Sequence, residues 1–268
     1  MQDGDPVAKQ ESLTPWRRWR SIVAQVPRRW IDLVFPLRCA SCDADMSGAA
    51  EPVAICQVCR QRLLADAAPR CPRCGERLAL PELEVCSNCS DHPTAFERVW
   101  TLGDYAQELR SLVLRMKHSH EAPLTAAIGD LLFGRIGASL AAWRADAILP
   151  VPMHWLRRAL RGSNSAELLG ESLARRLAVP NAAGCLVRRR HTQPQSGLSP
   201  GARLANVRGA FRLRKGADFR ETRVLLIDDI LTTGATCGEI ARVLRRSGAA
   251  AVSVAVVARA SGNDSRLR

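Results

Sequence analysis

The sequence predicts an α/β protein: a mainly parallel sheet flanked by helices, with a small cysteine-rich module on its N-terminal side. Three observations lead there. From Phe96 onward, short apolar strand patterns alternate with amphipathic helix patterns, as parallel sheets require. A continuous apolar run, Val224-Leu225-Leu226-Ile227, ends in two carboxylates and a small-residue turn that opens a helix. Between residues 39 and 89, eight of the ten cysteines fall into four Cys-x-x-Cys pairs.

The elements follow in order. Residues 1–30 read as a basic leader, partly disordered. Residues 15–35 mix tryptophan with arginine, as an interfacial or nucleic-acid-binding helix does, but Pro27 interrupts them and favours a short basic helix packed on its neighbour. Residues 31–91 form the cysteine module and residues 92–268 the α/β domain. In that domain the patterns predict strands at 99–102, 147–151, 184–187, 210–213, 224–227 and 252–257, the last closing the sheet. Helices are predicted at 107–117, 123–143, 165–177 and 238–247, with a polar loop over 188–208.

Two thiolates two residues apart clasp one metal from a tight turn, and two such pairs complete a tetrahedral site. Cys39, Cys42, Cys56, Cys59, Cys71, Cys74, Cys86 and Cys89 are therefore expected to hold two structural Zn²⁺ ions. Sequential pairing gives two zinc ribbons; a RING-like interleaved pairing stays open. The module is too poor in apolar residues to fold without metal. Cys185, in a strand, and Cys237, at a helix start that can lower a thiol pKa, are expected simply to pack.

Net charge is +13, and residues 154–215 concentrate it: 13 Lys/Arg stand there against Glu167 and Glu171. Such a segment suits a polyanion, whether pyrophosphate, a nucleotide or single-stranded DNA, and charge does not choose among them. There is no uninterrupted apolar run of about 18 residues and no signal-peptide core, so the expectation is no membrane span and a cytoplasmic location.

Asp228 and Asp229 stand at the end of the apolar strand. The turn that follows, Thr232, Thr233, Gly234, Ala235 and Thr236, leads into a helix whose free N–H groups and dipole suit a phosphate. The carboxylates can accept hydrogen bonds from vicinal hydroxyls. A phosphate grip beside a diol grip describes a ribose 5-phosphate site, although strand ends carrying Asp-Asp also hold metals or accept phosphate in receiver-type domains. A second strand ends in Pro150-Val151-Pro152 and leads through Met153 and His154 to Arg157, Arg158 and Arg161. There the expected ligand is pyrophosphate, bound by bidentate guanidinium groups; the competing reading is a solvated basic helix. Residues 188–211 lack strong periodicity. Arg190, Thr192, Gln195 and Arg203 suit a lid that closes over an anionic substrate and excludes water.

Residues 224–236 resemble the phosphoribosyl-pyrophosphate (PRPP) motif of type I phosphoribosyltransferases. The cysteine pairs, Pro-Val-Pro turn, Arg161-Gly162-x-Asn164, Thr192-x-x-Gln195 and Asp228-Asp229 in this order resemble the ComF family, competence protein F-like or GntX-like, from about Leu33 onward. The resemblance implies a double zinc ribbon before a type I phosphoribosyltransferase fold, and a link to natural transformation or use of external DNA. It places Asp228 and Asp229 on ribose hydroxyls and Thr232 to Thr236 on the 5-phosphate. The family commonly reads Arg-Gly-Phe-Asn-Gln where this chain has Ser163 and Ser165, so contacts of that aromatic and amide are not carried over. The implied activity is Mg²⁺-dependent phosphoribosyl transfer from PRPP to an unidentified acceptor, for which no base-binding hood is visible. The alternative is a non-catalytic sensor of PRPP or nucleotide that binds single-stranded DNA or a DNA-uptake or recombination protein. Self-association is left open.

Overall fold

The computed structural model describes residues 37–46, 54–118, 121–154, 163–190, 192 and 198–261. The leader expected over residues 1–30 lies outside them.

Each cysteine pair opens or closes a small ribbon. In the first, a bridge between Arg38 and Asp45 flanks Cys39 and Cys42, and Cys56 caps helix α1 (Gln57–Leu64). The second repeats the plan: a bridge between Arg70 and Arg77, then Cys86 capping α2 (Ser87–Asp91).

The domain that follows runs β1 (Val99–Asp104), α3 (Gln107–Arg115), α4 (Ala122–Trp143), β2 (Ala147–Pro150), α5 (Ser165–Leu177), β3 (Leu186–Arg188), α6 (Pro200–Val207), β4 (Phe211–Leu213), β5 (Arg223–Leu231), α7 (Ala235–Arg246) and β6 (Ala251–Arg259). Four strands form one parallel sheet in the order β1-β6-β5-β2. β6 is thus an interior strand rather than the closing edge expected from the sequence. All nine of its residues are buried, which only a strand covered on both faces and both edges permits.

The apolar run of β5 splits by its period of two. Leu225 and Ile227 face α3, α4 and α5, together with Leu102, Ile148, Ala255 and Val257. Val224 and Leu226 face the other side, with Leu149, Val252, Val254 and the Ile240, Ala241 and Leu244 stripe of α7. Helix α4 is long and apolar enough to cross a membrane by length and composition alone, yet it buries Leu124, Ile128, Leu131, Leu132, Ile136 and Leu140 in the first of these cores.

β3 and β4 do not join this sheet. They pair antiparallel with each other, their buried Leu186 and Phe211 packing beside α7. The expected loop over 188–208 also contains α6, started by Ser199, whose Oγ accepts from Ala202 N at 3.3 Å, with Pro200 in its first turn. Helix α7 begins at Ala235, three residues earlier than the pattern predicts, because Gly234 supplies the left-handed N-cap at φ 74°.

Candidate functional site

Helices α5 and α7 leave the sheet toward opposite faces, one from beside β2 and the other directly from β5. Adjacent parallel strands whose connections diverge in this way leave a crevice at their carboxyl ends, where open α/β sheets bind ligands. The β2–β5 ladder ends at Pro150 opposite Ile227, and Val151 N donates to Ile227 O at 2.8 Å. β5 continues four residues beyond that point, so Asp228 and Asp229 stand next to the departing turn 151–154.

The departing turn is held by helix α5. Asn164 caps that helix, its Oδ1 accepting from Ala166 N at 3.2 Å while its Nδ2 donates to Val151 O at 3.2 Å. Ser165 Oγ donates to Met116 O at 2.9 Å. Gly170 lets α5 approach the strand: a Cβ there would lie 2.6 Å from Pro150 Cγ.

Asp228 and Asp229 are both half-buried. Asp229 N donates to Asp228 Oδ1 at 2.9 Å. Burial, then the adjacent charge of Asp229, holds the Asp228 carboxyl well above its ordinary range, with Lys117 pulling weakly the other way. Burial also raises the Tyr105 phenol, as does the charge of Asp229, against the pull of Arg110. Lys117 and Tyr105 therefore lie near enough for charge to couple them to the acidic pair, and the sequence reading missed both. Lys117 had one faint signal: it is one of three lysines among 39 basic residues.

Beyond the pair, turn 232–236 runs into α7. Gly234 has φ 74°, which favours glycine, and a Cβ there would press on Phe96 Cζ at 3.3 Å. The N-cap residue Gly234 supplies no side-chain cap to α7, whose first helical bond is Gly238 N to Gly234 O at 2.7 Å. Its opening N–H groups point out of the sheet's carboxyl end with the positive end of the helix dipole. Thr233 Oγ1 accepts from Ala235 N at 3.4 Å. Cys237 is buried, and burial followed by the charges of Asp228 and Asp229 pushes its thiol up, contrary to the lowering that a helix start alone suggests.

Other expected residues are more scattered. Met153 is half-buried and His154 only 5% exposed. Arg157, Arg158, Arg161 and Gln195 lie outside the described residues. Arg190 donates through Nη2 to Asn206 O and Arg208 O, each at 3.0 Å, which fastens the end of β3 to the end of α6. Thr192 is buried and accepts from Arg188 Nη2, while Arg203 lies on α6.

The eight cysteines form two clusters. The Sγ atoms of Cys39, Cys42, Cys56 and Cys59 lie within 4.8 Å of one another, and so do those of Cys71, Cys74, Cys86 and Cys89. The pairing is sequential, not interleaved. Cys42 Sγ to Cys56 Sγ is 3.7 Å and Cys74 Sγ to Cys86 Sγ 3.5 Å, matching the roughly 3.8 Å edge of a tetrahedron with Zn–S near 2.3 Å. Burial raises the Cys39 thiol, but amides of Cys56, Cys42 and Ser41 outweigh it and bring the thiol down to about 6, whereas burial pushes Cys59 and Cys74 up, so it is the gathering of four sulfurs that marks each site. The donor set fits zinc at both sites.

Similarity to known proteins agrees with this architecture. Residues 30–90 match the double zinc ribbon domain and residues 163–267 the phosphoribosyl transferase domain. The chain is 31% identical over 230 residues to competence protein F of Haemophilus influenzae, covering 84% of this chain and 98% of the relative. It is 34% identical over 206 residues to DNA utilization protein YhgH of Escherichia coli K12, covering 75% and 88%. Adenine phosphoribosyltransferase from Leishmania tarentolae aligns at 19% identity over 53% of this chain and 74% of that one, with a TM-score of 0.33. Two four-cysteine ribbons on a type I phosphoribosyltransferase fold, with relatives matched over nearly their whole length, show that this chain belongs to the ComF family.

Proposed function

We propose that this chain binds PRPP in the crevice between β2 and β5 and transfers its phosphoribosyl group, serving competence or the use of external DNA as its relatives' names suggest. One observation carries the reading: an acidic pair and a helix N-terminus entered through Gly234 occupy the same end of one strand, at the point where the connections diverge. In this reading Asp229 and Asp228 accept hydrogen bonds from the ribose hydroxyls, and the N–H groups and hydroxyls of Thr232 to Thr236 hold the 5-phosphate. The turn at Met153 and the arginines after it face pyrophosphate, and the segment carrying Arg190, Thr192, Gln195 and Arg203 excludes water. The C1–O bond to pyrophosphate breaks as a bond from C1 to an acceptor nitrogen forms, and the acceptor's proton is released. Mg²⁺, when bound with the donor, neutralises charge on the leaving pyrophosphate. Eight thiols gathered for metal call for a reducing compartment, which supports a cytoplasmic location.

Calorimetric titration of PRPP with and without Mg²⁺ tests this. Micromolar, Mg²⁺-dependent binding that disappears in the Asp228→Asn/Asp229→Asn double variant is expected. Absence of binding in the unmodified protein overturns the donor reading.

A specific feature favours a second role beside the first. The hairpin carries a cleft of about 620 Å³ lined by Val187, Arg188, Arg189, Arg212, Arg214 and Lys215. Arg212 lies opposite Val187 in the ladder, and Arg189, Arg212, Arg214 and Lys215 are all exposed. Like charges crowded on one hairpin face repel, so an anion there is stabilising. Single-stranded DNA is the polyanion we assign to it. Fluorescence anisotropy with a labelled oligonucleotide should show binding that weakens steeply with salt and is lost in Arg189→Glu/Arg212→Glu. The double Asp→Asn variant should bind DNA normally; equal loss of DNA and PRPP binding would refute two separate sites.

A further inference from the structure

Arg259 ends β6 and is 8% exposed, a full positive charge inside the protein. Every edge of its guanidinium is in use. Nε donates to Cys74 O at 2.8 Å, and Nη2 pairs with Glu76 Oε2 at 2.9 Å. Nη1 donates to Leu231 O at 3.1 Å, to Thr232 O at 2.6 Å, and to Ala260 O. One planar group therefore joins a cysteine of the second metal cluster to the first residue of turn 232–236. Around it, Ser261 Oγ bonds Glu76 Oε1 at 2.7 Å and Ala260 N donates to Leu231 O at 2.9 Å.

The two sides differ in what holds them. The turn is anchored by the β5–β6 ladder, which reaches Leu231 opposite Arg259. The ribbon's apolar centre is little more than Cys71, Cys74 and Cys89, with Leu78 and Val85 against them, so the metal is its core. The knuckle that presents Cys74 O and Glu76 closes on Cys71, through Cys71 N to Glu76 O and Gly75 N to Cys71 O, each 2.8 Å. Without metal this knuckle loosens, and Arg259 loses its charge partner and its Nε acceptor together. A buried guanidinium without a partner carries a heavy desolvation penalty, so it turns outward and lets go of the Leu231 and Thr232 carbonyls. The first ribbon has no such link among the described residues. Its polar contacts run to α3 and α4 and their junction: Ser41 and Arg62 to Glu108, Ala40 O to Arg115, and Leu64 O to Arg135.

We propose that Arg259 is a positioning residue that makes the geometry of turn 232–236 depend on metal in the second ribbon but not in the first. Its consequence for PRPP rests on the reading of that turn as the 5-phosphate loop; the coupling itself is measurable without any ligand.

The test uses amide hydrogen exchange on the full-length protein, with zinc content measured alongside. Cys71→Ser, which disables the second cluster, should speed exchange across residues 232–236 by about tenfold or more, while Cys42→Ser, which disables the first, should leave it within about twofold. Arg259→Met should show the same fast exchange with both zinc ions retained, and Cys71→Ser should add nothing on that background. Should Arg259→Met fail to fold, Arg259→Lys keeps the charge without the planar fork and should give an intermediate rate. Unchanged exchange in Cys71→Ser, or equal acceleration by Cys42→Ser, overturns the proposal. PRPP titration of the same proteins separates the two readings. Binding weakened about tenfold or more by Cys71→Ser but not by Cys42→Ser extends the coupling to the ligand, and equal binding in both limits overturns that extension. No binding in the unmodified protein counts against the donor site alone, and the exchange data then decide the coupling.

Discussion

Replacing Asp228 by Asn should stabilise the unliganded protein while removing ligand binding. Neighbouring ionised carboxylates repel by on the order of 3 kcal/mol at an effective dielectric near 20, and Asp229 acts on Asp228 in this sense. Lys117 offsets part of this, and the bond from Asp229 N at 2.9 Å becomes one to a neutral amide oxygen, losing roughly 1 kcal/mol. A net gain of about 1 kcal/mol remains, or roughly 2–4 °C in Tm for a domain of this size. The sign follows from linkage. Asp228 is raised in the folded state, so the native protein holds its proton more tightly than the unfolded chain does. Its contribution to stability is complete in acid, below the unfolded carboxyl value of about 3.9, and is lost as pH rises through the raised native value. The advantage of Asp228→Asn should therefore vanish near pH 3 and grow toward neutrality. Thermal unfolding of both proteins from pH 3 to 8, with PRPP titration at pH 7.5, checks this. A variant that is less stable at neutral pH, or that keeps its affinity, refutes the claim that this carboxylate is held under strain for a ligand.

Other perturbations address the supporting structure. Gly170→Ala puts a Cβ 2.6 Å from the Pro150 ring, and such overpacking should cost about 1–3 kcal/mol in unfolding free energy; an unchanged Tm would show that α5 moves away freely. Gly234→Val combines the strain of φ 74° with a clash against Phe96 and should weaken PRPP binding more than it lowers Tm, by comparison of calorimetry with thermal melts. Cys71→Ser should leave one zinc of two by elemental analysis; retention of both would contradict the sequential pairing into two four-cysteine sites.

The parts of this fold that can be seen in the sequence are those whose cause is local. β5 is visible because both of its faces are buried, which makes Val224 to Ile227 continuously apolar, and the acidic pair marks its end. The cysteine spacing reveals the ribbons for the same reason, since a metal site is built from short-range turns. What stayed hidden depends on distant segments meeting. Lys117 and Tyr105, just past the ends of α3 and β1, come near enough to couple electrostatically with Asp228 and Asp229, and no pattern near either residue announces it. Arg259 looks like the polar end of an apolar strand until the second ribbon is placed against it. The hairpin of β3 and β4 has the same short apolar patterns as the main strands, and only Arg212 and Arg214 alternating with Phe211 and Leu213 hint at one exposed face. Helix α6 was within reach: Ser199-Pro200 is a helix start, outweighed by the loop-like composition around it.

The composition change near residue 91 suggests a boundary between independent modules, but the packing makes it a poor place to cut. Ile55 and Cys59 are fully buried, and with Cys39 and Met46 they share one core with Leu112, Val113 and Leu131 of the following domain. The free edge of β1 is covered as well, by Val99 N donating to Pro72 O at 2.7 Å, and Asp104 at its end pairs with Arg70 and Arg77. An edge strand stripped of such cover is a template for aggregation. Burying side chains such as Ile55 and Met46 contributes about 1.5–3 kcal/mol each, so removing the ribbons forfeits roughly 5 kcal/mol, a large share of the 5–15 kcal/mol that holds a typical domain folded. Residues 92–268 expressed alone should therefore fail to unfold cooperatively or should aggregate, by calorimetry and light scattering. A truncated domain melting within about 2 °C of the full chain would show instead that the ribbons are appended to a self-sufficient fold. The second ribbon adds a link of its own, covering the β1 edge through Pro72 and holding Arg259 through Cys74 O, which is how its metal reaches a crevice that contains no cysteine ligand.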